Sequence, residues 1–187
     1  NRENEITTSA IRVSEPKQGD IIINEILFNP KDNGVDFIEL YNTSNKVLQL
    51  GELGLSTGST PKAINDFILL PQSYVIICDN DDASDFESYG SVATIASFPA
   101  LTNSTDQVIL LSPPATTLSE LTYDISWYQD PFKAEGGYSL ELINLDLAND
   151  CPGNWRASNA AIGGSPGQEN TVSELDTNPP NLLIAIA

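Results

Sequence analysis

Runs of four to eight residues rich in Ile, Val, Leu, Tyr and Thr alternate along this 187-residue chain with clusters of Pro, Gly, Asn and Asp. Runs that short, bounded by turn formers, are the pattern of many short strands, so an all-β domain is expected. Residues 5–13 form a Thr/Ile/Val-rich strand, followed by a Pro/Gly/charged linker over 14–20. Residues 21–28 and 36–42 make a hairpin across Asn29-Pro30 and the turn Asp32-Asn33-Gly34. In the second arm, period-2 alternation puts Ile38 and Leu40 on one face and Phe37, Glu39 and Tyr41 on the other.

Leu48, Leu50, Leu53 and Leu55 mark two short strands bent at Gly51 and Gly54. Residues 66–70 and 74–78 are expected to pair as a hairpin across Pro71-Gln72-Ser73. The one helix is expected over 82–89, with Asp82 as N-cap and Gly90 closing it. Strands over 107–111, 121–128 and 138–143 complete the set. The loop Gly163-Gly164-Ser165-Pro166-Gly167 ends the domain, 171–181 is an acidic linker, and 182–186 is an apolar run like the first strand of a further domain. The expected division is therefore 1–19, the end of a preceding domain or an edge strand with its linker; 20–170, the main domain; and 171–187, a linker and a truncated start. With no Met and no basic, apolar leader at its start, the chain is expected to be a mature or excised piece.

Charge narrows the choice of partners. The chain holds 26 acidic and 8 basic residues, a net charge of -18, which repels phosphate backbones and anionic lipid heads. Nucleic acid is not an expected partner. No apolar run approaches the ~20 residues of a membrane helix, so direct membrane insertion is not expected either. The chain has no His, which removes the commonest general base and the commonest zinc ligand together. Cys78 and Cys151 make either one disulfide or two buried or loop thiols.

Several stretches, in order, resemble one family. Ile23-Asn24-Glu25-Ile26, Asn29-Pro30 and residues 36–44 resemble the opening hairpin of lamin tail domains; residues 48–56 resemble their next corner. Leu70-Pro71-Gln72-Ser73-Tyr74 and the residues to Ile77 are similar to the family's L-P-G-x-Y hairpin, and residues 98–111 to the one after it. Gly137-Tyr138-Ser139-Leu140-Glu141, Asn154-Trp155-Arg156-Ala157-Ser158 and residues 163–170 resemble its last motifs. The match runs from about Asp20 to Asn170. Leu53 stands where the family usually has Trp, Glu52 where it has Gly, and Leu142 where it often has Arg. The resemblance implies an Ig-like β-sandwich of short antiparallel strands with one short helix. It also implies a bacterial accessory module of a secreted or surface-anchored protein, beside other domains.

Three groups of side chains are candidates for chemistry. Glu25 and Glu39, facing each other across the first hairpin, are either the carboxylate pair of a glycosidase or structural acids bonded to backbone or to Arg156. Asp79, Asp81, Asp82 and Asp85 offer oxygens at calcium-loop spacing, but Ser84 replaces the turn Gly and Gly90 stands where the bidentate Glu belongs. The alternative is an acid-rich helix start. Trp127, Tyr128, Phe132 and Tyr138 form either a sugar-stacking strip or core and loop anchors. Trp155 is expected to plug the core.

The function expected from these observations is a non-catalytic structural or interaction module of a multidomain bacterial protein, secreted or at the cell surface, extracellular or periplasmic. A carbohydrate-binding accessory module of a surface enzyme is the alternative, and an autonomous hydrolase the third. No cofactor is expected to be required, and calcium is the one candidate ion. The expected partners are other domains of the same precursor and a protein or glycan ligand.

Overall fold

The computed structural model describes residues 12–147 and 149–173. Residues 5–11 of the strand expected over 5–13, residues 174–181 of the linker expected over 171–181 and the apolar run 182–186 lie outside the described residues. In chain order the strands are β1 (Val13–Ser14), β2 (Ile21–Leu27), β3 (Phe37–Asn42), β4 (Val47–Gln49), β5 (Gly54–Ser56), β6 (Lys62–Ala63), β7 (Ile68–Leu69) and β8 (Tyr74–Asp79). After a short helix, α1 (Ala83–Phe86), come β9 (Val92–Ile95), β10 (Thr105–Ser112) and β11 (Thr116–Asp124). A second short helix, α2 (Pro131–Ala134), precedes β12 (Leu140–Leu142) and β13 (Trp155–Ala157).

The strands make three sheets, ordered β13-β12-β2-β3-β8-β9, β11-β10-β5-β6 and β1-β4-β7. Pairing is antiparallel except at β1–β4 and β8–β9. One apolar core draws on all three sheets and includes Ile21, Ile38, Leu55, Val108, Leu121 and Trp155, each at most 1% exposed. Phe28 stacks on Tyr123 with ring centroids 4.2 Å apart, and the Tyr123 hydroxyl donates to Thr102 O. This is the expected Ig-like β-sandwich, with Trp155 buried as anticipated and its indole N–H donating to Asn149 O.

The residue that shapes the largest sheet is Asn24. The β2–β3 register runs Ile23 opposite Leu40 and then Glu25 opposite Glu39, so Asn24 is an extra residue on β2. Such a bulge reverses the inward-outward alternation of the strand beyond it. Ile21 and Ile23 accordingly enter the core before it, and Ile26 and Phe28 after it. Glu25 is thereby turned to the outer face, where β3 also places Phe37 and Glu39. That face is not solvated: a second small cluster of Phe37, Ile76, Cys78 and Phe86 covers part of it.

Several expectations change. The hairpin over 66–78 is not formed: β7 pairs with β4, whereas β8 pairs with β3 in another sheet. The turn between them carries the chain across the sandwich. It is clasped by Gln72, which stands at φ +53° and bonds Tyr41 Oη, Thr43 O and Ser44 O. The helix over 82–89 shrinks to a 3-10 turn at Asn80–Asp82 and the one-turn α1, and its cap is Asp79, not Asp82. The strand expected over 121–128 lies earlier, over β11, because Asp124 accepts from Ser126 N and starts a 3-10 turn at Ile125–Tyr128. β1 takes Val13 from the strand expected over 5–13 and only Ser14 from the stretch 14–20 expected as linker. The positions that depart from the family pattern fit locally: Leu53 and Leu142 are core residues, and Glu52 takes the φ of +75° that suits a glycine.

Candidate functional site

The outer face of the six-stranded sheet carries a row of three acids. Glu25 lies directly opposite Glu39 on β3 and directly opposite Glu141 on β12. All three are fully buried. Over them runs the last described stretch, residues 163–172, which forms a strap across the sheet.

Each acid holds the strap. Ser165 N donates to Glu25 Oε1 at 2.9 Å, and Ser139 Oγ donates to the same oxygen. Gly167 N donates to Glu39 Oε2, and Asn24 Nδ2 donates to Glu39 Oε1 at 2.9 Å. Glu141 accepts from Ser165 Oγ at 2.8 Å, Thr171 Oγ1 at 2.7 Å and Val172 N at 3.2 Å. Asn170 completes the clasp: its amide donates to Asn24 O and Leu142 O, and its carbonyl accepts from Asn24 Nδ2. The bulge residue that turns Glu25 outward is thus also a strap anchor.

Close approach explains the glycines of the closing motif. A Cβ on Gly164 would lie 2.7 Å from Glu25 Oε1, and one on Gly90 would lie 2.9 Å from Gly167 Cα. Gly167 itself sits at φ +78° against Tyr89 O.

Burial raises the Glu25 carboxyl to about 7, with the charge of Glu141 adding to the rise. It raises Glu39 to about 8, with the charge of Glu25 adding next. Among the described residues no Lys or Arg pairs with the row, whose acceptors, Glu25 Oε2 apart, are met by backbone N–H, hydroxyl and amide donors. Arg156 stands opposite Glu141 in register but is exposed, so it is not the partner that the sequence suggested. Glu25 Oε2 is buried and accepts no hydrogen bond among the described residues.

The Asp82 carboxyl is raised first by burial and then by the charges of Asp79, Asp85 and Asp81, so the four aspartates are neighbours. Asp79 spends Oδ1 on Asp81 N and Oδ2 on Phe98 N; those N–H donors, Phe98 foremost, hold its carboxyl below the usual range. Asp79, Asp81 and Asp82 share a shallow depression with Asp36, whose carboxyl is pushed up to about 6, first by burial and then by Asp82. Asp85 also faces a groove beside the strap. Among the described residues no three acidic or cysteine side chains form a metal-holding group.

Nor does the structure bring the cysteines together. Cys78 is buried on β8 and Cys151 is exposed ahead of β13, both as free thiols. Three strands separate β8 from β13, about 19 Å at ~4.8 Å per strand, whereas a disulfide needs Cα atoms within ~7 Å.

The aromatic strip is divided. Tyr128 is buried and donates to Tyr138 O at 2.7 Å, and Trp127 packs half-buried on the core. Phe132 is 62% exposed, edge-on to Tyr138, with Lys31 Nζ 5.5 Å from its ring centroid. Beside the strap lies an open groove of about 450 Å³, walled by Leu27, Val35, Phe37, Phe86, Tyr89 and Ile162. Reasoning from sequence missed Glu141 and this groove. The Ser139-Leu140-Glu141 alternation was the available signal for the first.

The sandwich and its strapped outer face define an Ig-like domain whose buried acids serve its own backbone. The lamin tail domain model matches residues 14–124, more than half of the chain, and the chain belongs to that family of non-enzymatic Ig-like interaction domains. Among curated proteins none matches the chain. Among the described residues no helix is long and apolar enough to cross a membrane.

Proposed function

We propose that this chain is a non-catalytic interaction module working as one domain of a larger bacterial protein that is secreted or held at the cell surface. The observation that carries the non-catalytic part is the state of Glu25 and Glu39. A glycosidase presents two carboxylates to a cleft, ~5–9.5 Å apart, with room for sugar or water. Here both are fully buried beneath the strap and bonded to it. The multidomain part rests on composition: Thr171 and Val172 belong to the strap, and the acidic, Pro-containing stretch 174–181 and the apolar run 182–186 fit a linker and a further domain. Its partners are then neighbouring domains and a protein ligand. The apolar groove beside the strap, rimmed by exposed Tyr89 and Ile162, is the surface best suited to contact.

The carbohydrate-binding reading has one observation in its favour, the exposed ring of Phe132. Lys31 already lies over that ring, and the other three aromatics of the strip are half-buried or buried.

Incubation with glycoside, ester and phosphate substrates tests the proposal. The expected result is no turnover by the wild-type chain. Turnover that disappears in Glu25→Gln or Glu39→Gln would contradict it.

A further inference from the structure

Three carboxyl groups in register on neighbouring strands, without a cation beside them, pose a physical problem. Directly opposed residues have Cβ atoms ~4.5–5.5 Å apart, and like charges so placed repel. At that range three ionised carboxylates sealed from water would be costly. The row therefore needs a positive charge or a proton. Among the described residues no metal-holding group exists and no Lys or Arg pairs with the row.

The hydrogen-bond pattern says where a proton fits. Glu39 uses both oxygens as acceptors, and so does Glu141. Glu25 uses only Oε1, which accepts twice, while Oε2 lies buried with no donor aimed at it. An ionised oxygen in that position lacks any compensation; a protonated one carries no charge to compensate.

We propose that Glu25, Glu39 and Glu141 form a proton-loaded latch, with a proton held on Oε2 of Glu25, and that loss of this proton to solvent releases the strap of residues 163–172 from the sheet. Every tie between strap and row is an N–H or hydroxyl donated to one of these carboxyls; the strap's other anchors are neutral, Asn170 on Asn24 and Leu142 O, Ser139 N on Gly163 O and Asn159 N on Thr171 Oγ1. When the row becomes fully ionised, mutual repulsion is relieved by admitting water, and water enters by lifting the strap.

Groups facing the row from other elements do not reverse this sign. Tyr41 on β3 and Tyr74 on β8 are kept neutral, their hydroxyls raised first by burial. Glu169 of the strap adds negative charge, and Arg156 on β13 is exposed to solvent. The raised carboxyls of Glu25 and Glu39 put the release between about pH 7 and 8. Glu39 is raised further than Glu25, whereas the hydrogen bonds leave an oxygen free for the proton only on Glu25. The two titrate as a pair, so the steps belong to the row, and the bonding pattern places the proton.

Amide exchange by NMR on the full chain tests the latch, with protection taken relative to the intrinsic rate at each pH. Between pH 5 and pH 8.5 the amides of Ser165, Gly167 and Val172 should lose about tenfold protection or more, as one pK step per unit implies. Ile77, in the centre of the sheet, should keep its protection. In Glu25→Gln, which leaves a neutral carbonyl oxygen for Ser139 and Ser165, strap protection should be the same at both pH values. Unchanged strap protection in the wild type, equal loss at Ile77, or the same loss in Glu25→Gln would each overturn the latch. Should Glu25→Gln fail to fold, carboxyl-carbon NMR of wild-type chain labelled at glutamate decides. At least one resonance titrating above about pH 6 is expected, and none titrating above about pH 6 would overturn the proposal.

Discussion

Glu25 and Glu39 stand directly opposite each other across β2 and β3, both fully buried. Their folded carboxyls sit above the unfolded value of ~4.3, so the native state binds protons more tightly than the unfolded chain. The stabilisation is complete below about pH 4 and is lost as pH rises through about 7 and 8. Asp36, raised to about 6, acts with the same sign. The melting temperature should therefore fall from pH 5 to pH 8.5, and the fall should be smaller in Glu25→Gln. Thermal melts across that range check it; a melting temperature that rises with pH would count against the buried row.

Two glycine-type positions predict opposite outcomes. Gly167→Ala forces a side chain into φ +78° against Tyr89 O, which should cost on the order of 1–3 kcal/mol. Glu52→Gly, at φ +75° on an exposed turn, relieves αL strain and should stabilise by about 0.5–1 kcal/mol. Chemical denaturation of the two variants checks both signs.

The cysteines should react one at a time. Cys151 is exposed, while the Cys78 thiol is packed with Phe37 and Phe86 and pushed up to about 11, by burial first and then by Asp82, Asp79 and Asp85. A thiol reagent should label one cysteine in the folded chain and two in denaturant. Failure to find two reactive thiols in unreduced, denatured protein would indicate a disulfide.

Calcium, magnesium and sodium at matched ionic strength should shift the melting temperature equally, because Asp79 is committed to N–H donors and the acids form no metal-holding group among the described residues. An additional shift in calcium that Asp81→Asn/Asp82→Asn abolishes would establish the site.

The strands with clean alternation or strong turn formers, such as β3 and β10, were legible in the sequence, as was the Ig-like class through the ordered motifs. Pairing partners were less so. Residues 66–78 carry a hairpin's local pattern, yet β7 and β8 join different sheets, a choice made by tertiary packing that no local signal encodes. Within the site, Glu25 facing Glu39 was foreseeable from the opening hairpin. The bulge at Asn24 was not: a single extra residue looks like an ordinary strand residue until its partner strand is known. The role of Glu141 depended on the same register, and so did the strap, whose Gly-rich sequence resembles a terminal loop.

Glu39→Gln tests most directly whether the glutamate row is a clasp. Glu39 accepts from Asn24 Nδ2 on one oxygen and Gly167 N on the other, and a glutamine must set its amide NH₂ against one of those donors. The measurement is unfolding free energy at pH 5 together with exchange at Gly167. The predicted result is a loss of about 1–3 kcal/mol with Gly167 among the amides losing protection. Unchanged stability and an unchanged Gly167 amide would contradict it.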